Sequence, residues 1–108
     1  MTLREFRTAI NAAGIPVYHG VADKERDKFI SWLETSREYF NADSGISEIT
    51  YKISLTLFTK TEYDEETIEK LENIFVNNGI VFSNAKIDCI NDYTVYAYTW
   101  QLEIVHSR

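Results

Sequence analysis

The chain has little of several things that proteins use for chemistry or anchoring. Cysteine occurs once in 108 residues, as Cys89, so no internal disulfide can form. Its neighbours Ile87 and Ile90 predict a buried, inert thiol in a reducing compartment. Glycine occurs four times, too seldom for a phosphate cradle, and no GxGxxG, GxxxxGK[ST] or GxSxG motif is present. No apolar run approaches the ~18 residues needed to cross a bilayer, and the opening MTLREFRTAI holds no signal-peptide core. The expectation is therefore no membrane association and no export. Basic residues are outnumbered: 11 Lys and Arg against 17 Asp and Glu leave a net charge of −6 and no basic cluster, which opposes tight binding to a phosphate backbone.

Large apolar side chains are plentiful. Seven Tyr, six Phe and two Trp within 44% hydrophobic residues suit a single packed domain spanning residues 1–108, a length that can bury a core without disulfides or a structural metal. Residues 2–13 read as a helix, since Leu3, Phe6, Ile10 and Ala13 share one face. Thr2 with Glu5 forms a capping-box pattern at its start, and Gly14 with Pro16 marks its end. Residues 17–19 suit a short strand, and GVADKERDK reads as a mobile polar loop.

From Lys28 the apolar period falls to two, giving a strand to about residue 35 or 36; Ser31 with Glu34 also fits a capping box, but the aromatic and β-branched content around it favours a strand. REYFNADSG reads as a turn or exposed loop by its Asn, Asp, Ser and Gly content, and Glu38 to Ser47 are expected to be mobile until assembly orders them. Residues 46–59 form a long strand with Tyr51, Ile53, Leu55 and Leu57 on its buried face. Asp64, Glu65 and Glu66 open a second helix with the stripe Ile68, Leu71, Ile74 and Phe75, ending near Asn78 and Gly79. Strands at 80–90 and 94–105 follow, joined by a turn at Asn91 and Asp92, the latter strand placing Tyr96, Tyr98, Trp100, Leu102 and Ile104 on one face. This order predicts an α+β fold, a mostly antiparallel four-stranded sheet with two helices packed on one face. Strand, helix, strand, strand in the C-terminal half is also a fragment of the ferredoxin-like topology.

Candidate chemistry is sparse. His19 and His106 lack partners at metal-ligand spacing, so no metal site is expected. The Asp64, Glu65, Glu66 group is explained by a helix N-terminus, where carboxylates are favoured by about 0.3–1 kcal/mol each, rather than by acid–base catalysis. The stripe Tyr96, Tyr98, Trp100 has the residue types of a base-stacking platform but not its cations, and is expected to pack under the helices. No catalytic residue and no cofactor-binding residue is assigned.

Taken in order, AGIPVYHG, FISWLETS, YFNADSG, LTLFTKTEYDEETIEKLENIF, NNGIVF and VYAYTWQLEIV span nearly the whole chain. In this order they resemble the tail terminator and tail-to-head joining proteins, often labelled minor capsid or tail component proteins, of long-tailed bacteriophages and prophages. GVADKERDK departs from the family, which often has a proline in the approach to the first strand. The resemblance implies a non-enzymatic structural subunit in a ring, commonly a hexamer, capping the tail tube and attaching it to the head connector. It also implies assembly in the host cytoplasm and residence in the virion tail. Implied partners are other copies of itself, the tail tube protein and the connector protein, with DNA passing through without specific binding. A hexamer would carry a charge on the order of −36, suited to an acidic lumen that repels phosphates. Glu38, Asp43 and Glu48, beside the loop read in YFNADSG, are the candidates for lumen or ring contacts. Two other classes compete: a small ferredoxin-like ligand-binding or regulatory domain, and an enzyme whose site a single sequence does not reveal.

Overall fold

The computed structural model describes residues 1–20, 27–43, 45–90 and 94–107. The expected Gly20–Asp27 loop falls largely outside them, as does the turn at Asn91 and Asp92. In chain order the elements are α1 (Leu3–Asn11), β1 (Val17–His19), β2 (Lys28–Ala42), β3 (Gly45–Thr59), α2 (Glu65–Asn77), β4 (Val81–Phe82), β5 (Lys86–Ile90) and β6 (Val95–Ser107).

Local sequence accounts for both helices. The Thr2 hydroxyl accepts from the Glu5 amide and the Glu5 carboxylate accepts from the Thr2 amide, so the capping box forms in full. Gly14 takes φ 76° and Gly79 φ 67°, the left-handed conformation that closes a helix without a Cβ penalty. Phe6 and Ile10 of α1 and Leu71 and Phe75 of α2 are buried on the same face of the sheet. There Phe6 meets the edge of Trp32 at 5.0 Å and Phe75 that of Trp100 at 5.8 Å.

The sheet corrects the expected four-stranded, mostly antiparallel arrangement. It has six strands in mixed order, β1-β2-β3-β6-β4 with β5 also on β6, and β1 runs parallel to β2. Two causes explain the difference. The three residues of β1 are too few for periodicity to separate them from loop, and their partners Ile30, Ser31 and Trp32 lie far along the chain. The strand expected at 80–90 is divided: β4 pairs with residues 102–103, and β5 resumes opposite residues 95–99. In the C-terminal half, β6 lies between β3 and β5 and is antiparallel to both, so β3, α2 and β5 form a split β-α-β unit.

Further corrections concern individual residues. REYFNADSG is no loop through most of its length, because β2 continues to Ala42 and pairs with β3 up to Ala42 opposite Gly45. Cys89 is exposed, not buried, since β5 is an edge strand whose five residues are all exposed. The faces assigned to residues 51–57 and 96–104 hold: Ile53, Leu55, Leu57 and Trp100 are fully buried.

Candidate functional site: a projecting hairpin arm

The molecule measures 53 × 24 × 22 Å, and the hairpin of β2 and β3 accounts for its length. Each strand has 15 residues, about 50 Å of extended chain. The helices above them have 9 and 13 residues, about 13 and 20 Å. On β3 the covered core extends to Tyr51 and Ile49, which are buried. On β2, by contrast, residues 37–42 are exposed throughout.

Two irregularities mark the arm. Register shifts occur between Glu34 and Ser36, leaving Thr35 unpaired, and between Phe40 and Asn41, opposite Glu48 and Ile46. The Thr35 hydroxyl donates to the Lys52 carbonyl across the first bulge. Bulges of this kind increase local twist and re-aim the side chains that follow. After the first one, Arg37 and Tyr39 share the face that carries the helices, whereas Ser36, Glu38 and Phe40 share the open face.

The three carboxylates expected at the contact surface all lie on this arm. Glu38 sits opposite Thr50 and Glu48 opposite Phe40, so the two occupy adjacent positions on the open face, while Asp43 is at the turn. Glu38 meets Lys52 at 3.2 Å, an exposed pair of the kind worth at most about 1 kcal/mol. The residues that sequence reading missed are the apolar ones beside them: Tyr39, Phe40 and Ile46 are 51%, 66% and 38% exposed. Arg37 lies over both the Tyr39 and Tyr51 rings, 5.4 and 5.6 Å from their centroids. The alternation of Arg37 and Tyr39 with Glu38 and Phe40 was the available signal. The turn residues following it in YFNADSG outweighed it.

No protein-family model matches the chain. No curated protein matches it either. Chemistry and assembly therefore have to be weighed on geometry.

The carboxylates at the start of α2 separate into different environments. Asp64 is buried, accepting from the Thr59 hydroxyl at 2.9 Å and pairing with the Lys28 ammonium at 2.7 Å, which also donates to Thr67. Burial alone would raise its pKa, but hydrogen bonds from Lys28, Thr67 and Thr59 and the Lys28 charge hold it below the ordinary carboxylate value. Glu65 and Glu66 are exposed in the first turn. This arrangement ties β2, β3 and α2 together and leaves Asp64 engaged on several sides. His19 stacks on Trp32 at 4.0 Å and pairs with Glu34, bracing β1 against β2. His106, the other histidine, is opposite Ile49 in the β3–β6 ladder, far along the sheet. Among the described residues no group of three or more His, Cys, Asp or Glu could hold a metal ion. No helix among them is long and apolar enough to cross a membrane.

Proposed function

We propose that the chain is a non-enzymatic structural subunit of a long-tailed phage or prophage, a tail terminator or tail-to-head joining protein that works in a ring. The observation that carries this reading is the arm: the end of the β2–β3 hairpin, flanked by β6 as far as Glu48, exposing Tyr39, Phe40 and Ile46 beside three carboxylates. Exposed aromatic side chains on a rigid ribbon are costly to leave in water and suited to burial against a partner. The ordered segments from AGIPVYHG to VYAYTWQLEIV supply the particular assembly. In that assembly the ring would cap the tube and meet the connector, with Glu38, Asp43 and Glu48 at ring or lumen contacts. DNA would then pass an acidic surface without adhering.

The test is removal of the gene from the producing phage, followed by electron microscopy of the lysate. The expected result is tails of uncontrolled length together with heads that carry no tails. Tails of normal length joined to filled heads would overturn the assignment. A second reading, a ligand-binding or regulatory domain, is favoured by one feature: a groove of about 530 Å3 on the open sheet face, lined by Thr35, Lys52, Ser83, Gln101 and Glu103 among others. A small molecule that raises the unfolding temperature, and loses that effect when Gln101 or Lys52 is changed, would support the second reading.

A further inference from the structure

We infer that copies of this chain join edge to edge through one sheet, the outer edge of the β2 arm in one copy pairing antiparallel with the outer edge of β5 in the next. This deepens the ring-subunit reading by naming its contact. Both edges lack a strand partner among the described residues: β1 covers β2 only at residues 30–32, and β5 pairs with β6 alone. Each carries exposed apolar side chains, Leu33 and Tyr39 on one, Ile87 and Ile90 on the other.

Direction and register follow from the ladder. β2 and β6 are each antiparallel to β3, and β5 is antiparallel to β6, so β5 runs opposite to β2. A second copy placed alongside in the same orientation therefore presents its β2 antiparallel to β5, with no rotation needed. In an antiparallel sheet, backbone groups of alternate residues point to alternate neighbours. Ile30 donates to Pro16 and Trp32 accepts from Gly20, so residues 30 and 32 face outward; the bulge at Thr35 shifts this phase to Arg37 and Tyr39. On the far side, Gln101 accepts from Ser83, so residues 97, 99 and 101 of β6 face outward. Their partners Lys86 and Asp88 face inward, and Ile87 and Cys89 are left facing out.

Of the registers that match these groups, one fits. With Ile87 opposite Arg37, Lys86 falls opposite Glu38, Asp88 opposite Ser36 and, past the bulge, Ile90 opposite Leu33. Ile87 then reaches the Tyr39 ring diagonally. A shift of two residues one way sets Asp88 against Glu38, a like-charge pair. The opposite shift drives the end of β5 onto residues 31 and 32, whose edge β1 holds. Because the joined edges belong to opposite sides of one sheet, the contact is head-to-tail and closes into a ring or continues as a filament. The occupant is therefore a second copy, since both halves of the contact reside on this chain with complementary charge and matched faces.

Paired cysteines test this directly. Lys86 and Glu38 would form a non-hydrogen-bonded antiparallel pair, with Cβ atoms about 4.5–5.5 Å apart, close enough for a disulfide after small adjustment. The full chain carrying Cys89→Ser, Glu38→Cys and Lys86→Cys should give a ladder of covalent multimers on a non-reducing gel after mild oxidation. The off-register pair Glu38→Cys with Asp88→Cys should remain almost entirely monomeric. Equal ladders from both pairs, or free thiols in the first, would overturn the inference. Charge reversal gives an independent readout: Glu38→Lys should lower the sedimenting mass, and adding Lys86→Glu should restore it. Loss without restoration would count against the register. A ladder in a protein whose deletion leaves tails normal would keep the contact and remove the tail assignment, so the two failures are distinct.

Discussion

The same two strands behave differently along their lengths. In the body, β2 and β3 supply Ile30, Trp32, Ile53, Leu55 and Leu57, all buried under α1 and α2, whereas in the arm they supply Tyr39, Phe40 and Ile46 to solvent. Residue type does not separate the two regions, because both are rich in apolar and aromatic side chains. What separates them is cover. The core ends at Tyr51 and Ile49, and beside and beyond them the apolar side chains of Tyr39, Phe40 and Ile46 are left uncovered. A strand of ordinary core sequence becomes an exposed ribbon where it outruns its cover.

The contrast is broken most strongly in the body. Trp100→Ala, which empties the largest fully buried site, should cost about 3–5 kcal/mol, and Leu55→Ala about 2–5 kcal/mol, in denaturant unfolding. A loss below about 0.5 kcal/mol at Leu55, the range of exposed positions, would mean that the buried face is wrongly assigned.

Next in size is the tie at the base of α2. Asp64→Asn removes the carboxylate charge from Lys28 and should cost about 1.5–3 kcal/mol at neutral pH, the range for hydrogen bonds to charged groups. Since the folded protein holds the Asp64 pKa below its ordinary 3.8, its contribution is complete above that value and fades as the pH falls through the lower, folded one. The stability gap between wild type and variant should therefore narrow in acid. A gap that stays constant down to the acid unfolding limit would show that the charge is not what stabilises the site.

A smaller effect distinguishes the two tryptophans. The Trp100 indole donates to Glu72 at 3.2 Å, while the buried Trp32 indole nitrogen has no acceptor among the described residues. Trp100→Phe should accordingly be more destabilising than Trp32→Phe by about 1 kcal/mol, the worth of one hydrogen bond. Equal losses would mean that the Glu72 contact contributes nothing.

The smallest expected effect on folding belongs to the arm. Phe40→Ala should change stability by less than about 0.5 kcal/mol while weakening self-association measured by sedimentation. A large loss of stability with unchanged association would reverse the roles assigned to body and arm.

Legibility in the sequence follows the same division. The strict alternation over residues 51–57 and 96–104, the Thr2–Glu5 box and the glycine stops were readable because each is a local rule acting on adjacent residues. The capping-box match at Ser31 and Glu34 was rightly set aside for a strand. The arm was hidden because Asn41, Asp43 and Gly45 belong to its tip but colour the whole segment, while the pairing that extends the strand comes from Ile49 and Thr50 on another element. Cys89 was misjudged for a related reason: isoleucine neighbours imply burial only if something lies over the strand, and sheet order decides that. Glu38, Asp43 and Glu48, read from the sequence as candidate lumen or ring contacts, fall together at the hairpin end, Glu38 and Asp43 exposed and Glu48 half-buried, but the aromatic side chains beside them were not recognised as part of the same surface.

The placement of the indoles also has a spectroscopic side. Both tryptophans of the chain are in the body, at matching positions on either side of Leu55, and neither is on the arm. Intrinsic tryptophan emission therefore reports the packing of the helix-covered half and is blind to the projecting ribbon. Phe40→Trp would add a chromophore at an exposed tip, with emission characteristic of a water-surrounded indole in the isolated chain. A shift to shorter wavelength on mixing with a partner would then signal burial of the arm in real time, against a background from Trp32 and Trp100 that stays still.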